Sequence, residues 1–290
     1  MEGQICLVTG ANAGIGKETA RELARRGATV VIVARNKEKG NSARAEIIES
    51  TRNERVELLL ADLSSQTSIK VMVEDFKNRF DRLNVLVNNA GVFLSERFES
   101  LDGFEMTFAT NHLGYFLPTI LLWDRLLAGS PARVINVSSD AHRRQKLDFD
   151  DLQTRKNYQG FRAYGQSKLA NVLFTYELDR RRDGADITVN ALHPGFIASN
   201  FGRNNKGVVG LFMRTVVPWI ARSVTEGAAT PIYLATSDEV AGVSGRYFVN
   251  STPVRSSPES YDRQAAERLW EISETLTGVA LPSSFAHPQQ

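Results

Sequence analysis

Cysteine is almost missing from this 290-residue chain, and long hydrophobic runs are missing altogether. The single thiol, Cys6, lies in the apolar run Ile5-Cys6-Leu7-Val8, so no internal disulfide can form and a buried structural thiol is expected. With one cysteine and four histidines, no cluster has metal-ligand spacing, and no metal is expected. No apolar stretch approaches the ~20 residues of a membrane span. The first strand-like run begins at Ile5, so no signal peptide is expected, and a reducing cytoplasm or the cytosolic face of a compartment is the expected location. Charge of one sign is also scarce: 35 Lys plus Arg against 33 Asp plus Glu leave a net +2. That balance gives no reason to expect a nucleic-acid partner or an acidic membrane surface. No repeat and no flexible linker divides the chain. A single domain over 1–290 is expected, with a frayed tail over 281–290.

What is present is alternation. Apolar, β-branched runs at Ile5–Val8, Thr29–Ala34, Val56–Leu60, Val85–Val87, Val134–Val137, Ile187–Ala191 and Arg246–Val249 read as strands. Helical patterns separate most of them, beginning with Ile15–Arg26 and Lys37–Ser50. Apolar strands alternating with helices describe an α/β fold, a doubly wound parallel sheet of Rossmann type with helices on both faces. Two regions interrupt the alternation, Asp140–Phe161 and Phe196–Ser223. Both follow strands, where an open α/β sheet carries its ligand loops.

Between the first strand and first helix the chain reads Thr9-Gly10-Ala11-Asn12-Ala13-Gly14-Ile15-Gly16. Glycine lets the backbone turn sharply and approach a phosphate, while a helix N-terminus offers free N–H groups. Gly10, Asn12, Gly14, Ile15 and Gly16 are therefore candidate nucleotide contacts. The spacing is G-x-x-x-G-x-G, not the commoner G-x-G-x-x-G, so an ordinary βα loop rich in glycine competes with that reading. The second strand ends Val33-Ala34-Arg35-Asn36, with no carboxylate to bond a ribose 2′-hydroxyl. Arg35 there suits a 2′-phosphate and favours NADP(H) over NAD, although a solvated surface arginine would look the same.

Further along stand Asn88-Asn89-Ala90-Gly91, Asn111, Asn136-Val137-Ser138-Ser139, Tyr164-Gly165-Gln166-Ser167-Lys168 and Pro194-Gly195. Their order and spacing after the glycine loop resemble the short-chain dehydrogenase/reductase family, from about Gln4 to Val249. Asn111-His112-Leu113-Gly114, Ser167–Phe174, His193-Pro194-Gly195 and Arg268-Leu269-Trp270-Glu271 resemble its retinol-dehydrogenase-like branch. The resemblance implies hydride transfer between NADP(H) and a carbonyl or alcohol. It gives Asn111, Ser139, Tyr164 and Lys168 catalytic roles, with Ser138 as the second choice of serine. It assigns Asp62 to the adenine ring with Leu63 donating backbone, and Asn89, Ala90 and Gly91 to adenosine and ribose. Pro194, Gly195, Ile197 and Ser199 would meet the nicotinamide carboxamide, while His193 reads as structural. A light-dependent double-bond reductase shares this motif order but typically carries several cysteines, where this chain has only Cys6.

The chemistry also follows from the residues. Tyr164 and Lys168 are four apart, so on a helix both emerge on one face. A phenol of pKa near 10 is a poor proton shuttle at neutral pH. A nearby ammonium and an oxidised nicotinamide should lower it and make both cofactor-binding and proton-transfer roles natural for Tyr164 and Lys168. Ser139 follows a strand end, where its hydroxyl would hold the substrate oxygen. An incidental helical Tyr/Lys pair is the competing account. The stretch Gly207–Ala221, with Val208, Phe212 and Trp219, resembles the family's substrate lid and implies a hydrophobic carbonyl partner such as a retinoid, lipid aldehyde, steroid or aromatic ketone. A core helix or the surface of a homo-oligomer would read the same way. Two other classes compete with an enzyme: a non-catalytic NADP-binding sensor, which predicts a damaged Asn/Ser/Tyr/Lys set, and an interaction protein, which would tolerate loss of the glycine loop.

Overall fold

Strands without polar alternation must be covered on both faces, and this requirement organises the chain. The computed structural model describes residues 1–195 and 223–282. Its strands are β1 (Ile5–Thr9), β2 (Thr29–Ala34), β3 (Val56–Leu60), β4 (Val85–Asn88), β5 (Ala132–Val137), β6 (Ile187–His193), β7 (Arg246–Val249) and β8 (Thr252–Val254). They form one sheet in the order β3-β2-β1-β4-β5-β6-β7-β8. Every neighbour pair is parallel except β7 with β8. That hairpin was not expected. Its two-residue turn, Asn250-Ser251, has φ of 51° and 60°, the doubly left-handed geometry that tight hairpins favour. Without a glycine, the dipeptide gives little signal.

The helices are α1 (Gly14–Arg25), α2 (Lys37–Thr51), α3 (Gln66–Arg79), α4 (Met106–Phe108), α5 (Gly114–Leu121), α6 (Trp123–Ala128), α7 (Gly160–Arg181), α8 (Val224–Thr236) and α9 (Arg263–Thr277). Alternate residues of β1 feed different cores. Cys6 and Val8 pack with Leu23, Ile47 and Leu234, under α1, α2 and α8. Leu7 faces the other way, in a cluster with Phe76, Phe116, Phe174 and Trp270. Burial raises the Cys6 thiol to about 12, so it is an inert core group, as its apolar neighbours implied.

Parallel strands and right-handed crossovers bring the carboxyl ends of β1, β4, β5 and β6 to one edge. The strand order reverses between β1 and β4, and an open α/β sheet forms its ligand crevice beside such a reversal. The expected interruption after β5 contains a 3-10 turn, Asp140–Arg144, and no further regular element before α7. All of the second interruption except Ser223, including the apolar stretch 207–221, Ile197 and Ser199, lies outside the described residues, as do residues 283–290 of the tail.

Candidate active site

The turn from β1 into α1 is built from positions that only glycine fills cheaply. Gly10 has φ of +67° and Gly14 of +57°. A side chain on Gly10 would approach Ala90 Cα at 2.8 Å, and one on Gly16 would meet the Gly10 carbonyl at 2.7 Å. The Thr9 hydroxyl accepts hydrogen bonds from the backbone N–H groups of Asn89 (2.9 Å) and Ala90 (3.1 Å). In return the Asn89 amide donates to the Thr9 carbonyl at 2.8 Å. The glycine turn and the Asn89-Ala90-Gly91 segment are thereby pinned together across the strand-order reversal.

The end of α1 is left open. Its N-cap, Ala13, supplies no side-chain hydrogen bond, and the first turn holds no acid. By contrast Asn36, Ser65, Ser223 and Asp262 cap α2, α3, α8 and α9. Free N–H groups at the positive end of a helix dipole, reached by side-chain-free backbone, suit a diphosphate. Asn12 and Ile15 are both half-buried in this turn. Arg35, 71% exposed in its side chain, lies 3.8 Å from Asp62. Asp62 is held in turn by the N–H (3.0 Å) and hydroxyl (2.6 Å) of Ser64. The next residue, Leu63, is buried and lies against Gly114. The predicted 2′-phosphate and adenine residues thus stand together, on the adjacent ends of β2 and β3.

Across the crevice, α7 brings Tyr164 and Lys168 to the end of β5. Lys168 is buried, and its ammonium donates to the Val137 carbonyl at 2.9 Å. It lies 5.7 Å from the centre of the Tyr164 ring and 5.4 Å from that of Tyr115. The two serines separate clearly. Ser138 points inward and donates to the Lys168 carbonyl at 2.8 Å, a structural bond. Ser139 is half-buried; its hydroxyl accepts from the Ala141 N–H at 3.2 Å and lies near enough to the Tyr164 phenol to lower that group's pKa. Strand alternation, which turns successive side chains to opposite faces, decides between them.

The expected direction of the Tyr164 pKa is reversed by the protein's own groups. Burial pushes the phenol up to about 12, against a smaller lowering by Ser139. Burial also pulls Lys168 down to about 7. A dry pocket disfavours both charged forms, and its cost exceeds the help that the neighbouring ammonium was expected to give. At neutral pH the phenol carries its proton.

Asn111 lies in a π-helical turn, Ala109–Leu113, between α4 and α5. Its amide accepts from the Val92 N–H at 2.8 Å and donates to the Val92 carbonyl and to Ser167 Oγ at 3.0 and 2.9 Å. A side chain on Gly91 would touch Asn111 at 3.3 Å and the Lys168 ammonium at 3.5 Å, so this glycine keeps the two close. Pro194 and Gly195 follow β6 at the same edge, with Gly195 at φ +93°. His193 accepts from the Asp140 N–H at 3.3 Å and lies 3.7 Å from the Asp140 carboxylate, a structural contact as expected.

Sequence reasoning missed an amide ladder beneath the site. Asn88 donates to Thr119 and to Asn136, and Asn136 donates to Thr175 on α7, at 2.9 to 3.0 Å. Asn88 and Asn136 open two of the motifs, yet nothing in their spacing reveals that they bond each other. Among the described residues no group of three or more His, Cys, Asp or Glu could hold a metal, and no helix is long and apolar enough to cross a membrane.

A family model for short chain dehydrogenase matches residues 4–207. The chain is 44% identical over 277 residues to retinol dehydrogenase 12 of Mus musculus, covering 96% of this chain and 87% of that protein. It is 45% identical over 293 residues to retinol dehydrogenase 13 of Homo sapiens, covering 99% and 88%. Among solved structures, an uncharacterised protein from Mycobacterium paratuberculosis superimposes with a TM-score of 0.77 at 33% identity, over 97% of this chain and 96% of that one. The Pseudomonas aeruginosa RhlG/NADP active-site complex superimposes with a TM-score of 0.69 at 27% identity, over 86% and 94%.

Proposed function

The chain belongs to the short-chain dehydrogenase/reductase family and is an alcohol/carbonyl oxidoreductase with a nicotinamide cofactor; we propose that it uses NADP(H), with Tyr164 as general acid and base. The observation that carries this reading is the convergence of Ser139, Tyr164 and Lys168 at the end of β5. The open α1 terminus and its glycine turn fit the cofactor's diphosphate, and Arg35 fits a 2′-phosphate. When bound, the nicotinamide gives or takes the hydride.

The chain's residues manage the oxygen. Tyr164 and Ser139 hydroxyls would both hold the substrate oxygen, placing their O–H dipoles where negative charge gathers during reduction. Tyr164 enters protonated and delivers its proton to that oxygen. Lys168, lowered to about 7 and so partly ammonium at neutral pH, stabilises the phenolate from 5.7 Å, measured to the ring centre. Asn111 and Gly91 keep the ammonium and the Val92 backbone in register. In the oxidative direction the same phenolate accepts the alcohol proton. A non-catalytic sensor would not need this intact set of four.

The substrate is a hydrophobic carbonyl or alcohol of the retinoid or long-chain aldehyde class. Support comes from the apolar stretch 207–221 in the sequence and from the similarity to retinol dehydrogenases. A turnover panel with NADPH and NADH against retinal, nonanal and acetaldehyde tests both points. NADPH should be preferred and the two apolar aldehydes should have the higher kcat/KM. Equal use of the two cofactors would remove the assignment of Arg35, and a preference for acetaldehyde would remove the substrate class.

A further inference from the structure

Ser139 must do more than lie near Tyr164: its backbone has to be held still for its hydroxyl to bear on a reacting oxygen. The chain after β5 makes this hard, because Asp140–Arg144 is a single 3-10 turn followed by irregular structure. One residue in that turn is fully buried. His142 has no exposed surface, and its ring packs 4.9 Å from that of Tyr247 on β7.

Both ring nitrogens of His142 are committed. Nδ1 lies 2.7 Å from the Ser139 carbonyl oxygen, and Nε2 lies 3.1 Å from the backbone nitrogen of Ser257. A carbonyl can only accept and a backbone N–H can only donate, so the tautomer follows. The proton is on Nδ1, and the Nε2 lone pair receives Ser257. Both bonds require a neutral imidazole, which is also the state that burial favours here. The Ser139 carbonyl accepts a second bond from the His142 N–H at 3.1 Å.

Ser257 belongs to a strap that precedes α9. In the same strap Ser256 hydrogen-bonds with Tyr176 of α7 at 2.7 Å, and the rings of Tyr261 and Tyr176 stack at 5.4 Å. The strap therefore touches the helix that carries Tyr164 and Lys168, and His142 connects that strap to Ser139.

We propose that His142 is a positioning residue, whose Nδ1–H clamps the Ser139 carbonyl and so sets the place of the Ser139 hydroxyl opposite Tyr164. This rests on the reading that Ser139 holds the substrate oxygen. The bond to Ser257 anchors the ring, and the bond to Ser139 transmits the anchor to the site.

Two substitutions separate the bonds. His142→Asn puts an amide N–H where Nδ1–H was and loses the partner of Ser257. His142→Gln puts an amide oxygen where Nε2 was and loses the clamp on Ser139. Each variant drops one bond, so a merely structural histidine would cost both variants alike. Under the proposal, NADPH-dependent reduction of nonanal by His142→Asn stays within about 3-fold of native kcat. His142→Gln loses at least about 10-fold in kcat, a displacement effect well inside what an ångström of misplacement can cost. KM and the NADPH dissociation constant should be unchanged in both. Equal losses of kcat in the two variants, or native kcat in His142→Gln, would overturn the proposal. So would a folded, NADPH-binding His142→Asn protein with collapsed turnover. Ser139→Ala is measured alongside: if it turns over at the native rate, the role of Ser139 itself fails, whereas a dead Ser139→Ala with equal His142 variants sinks only the clamp.

Discussion

The β1–α1 corner and the β5–α7 corner face each other across the strand-order reversal, and they are made by opposite means. The first is almost all backbone: positive-φ glycines, an uncapped helix end, and a hydroxyl and amide that pin main chain to main chain. The second is almost all side chain: Ser139 and His142 follow β5, Tyr164 and Lys168 lie on α7 and Asn111 precedes α5, and Lys168, Asn111 and His142 are fixed by bonds to the carbonyls of Val137, Val92 and Ser139. A backbone site can hold a ligand but has no proton to exchange. A side-chain site can exchange protons, but each group has to be desolvated and anchored. Damage to the first corner should therefore show in binding, and damage to the second in turnover.

The largest test of that division is Tyr164→Phe. Turnover should fall by at least the ~10²–10⁴ that general acid catalysis contributes, while NADPH binding by fluorescence titration stays native. Native-like turnover in a folded Tyr164→Phe protein would rule out the proton role. Next is the pH dependence of stability. Unfolded, Lys168 keeps its proton to about 10.5, whereas in the fold it releases it at about 7. Between these values the unfolded state binds more protons, so unfolding free energy should rise with pH from about 7, by an amount on the order of a few kcal/mol. Near pH 10 buried tyrosines such as Tyr164 and Tyr176, whose phenols are raised, begin to act in the opposite sense. Denaturant titrations of Lys168→Met should lose the rise; if its pH profile matched the native one, the buried ammonium is not its source.

On the backbone side the effects are smaller. Gly10→Ala adds a Cβ at positive φ and against Ala90, and should cost about 1–3 kcal/mol of stability together with weaker NADPH binding. Arg35→Ala should narrow the preference for NADPH over NADH by roughly 1–3 kcal/mol, the scale of hydrogen bonds to a charged group. An unchanged cofactor ratio would dismiss Arg35 from that role. The smallest effect sharpens the contrast most. Ala13→Asp would cap α1 and favour its dipole, raising stability by ~0.3–1 kcal/mol while repelling a phosphate. A more stable protein with undiminished NADPH affinity would mean that the open end of α1 is not where the cofactor sits.

The same contrast explains what could be read in advance. The glycine turn, Arg35 and the Tyr164/Lys168 pair are local features, with a spacing or a strand end to give them away. The choice of Ser139 over Ser138 came from the family resemblance, and the alternation of β5 supplies its physical basis. What was hidden depends on neighbours far along the chain. The drop in the Lys168 pKa needs the burial that surrounds α7, and the bond between His142 and Ser257 spans 115 residues. The π turn at Asn111 leaves no mark in hydrophobic periodicity, since it changes the winding by one residue without changing what is apolar. The β7–β8 hairpin was lost because Asn-Ser carries φ values usually advertised by glycine.

That hairpin settles how the sheet ends. Every sheet has rims on which unpaired amide and carbonyl groups invite a strand from another molecule, the first step of ordered aggregation. Here one rim is β8, only three residues long, and its middle residue is Pro253, opposite Phe248. A proline has no N–H to offer, and three residues give too short a template to hold a newcomer. The far rim, β3, carries Glu57 near its start, with Arg79 3.8 Å away, so an incoming strand would have to accommodate a charge there. Replacing Pro253 by valine would restore the missing donor, and with it a continuous β-prone triplet, Thr-Val-Val, on the outside of the molecule. The short antiparallel strand thus serves as a stopper that offers an incoming strand little to pair with at this end of the sheet.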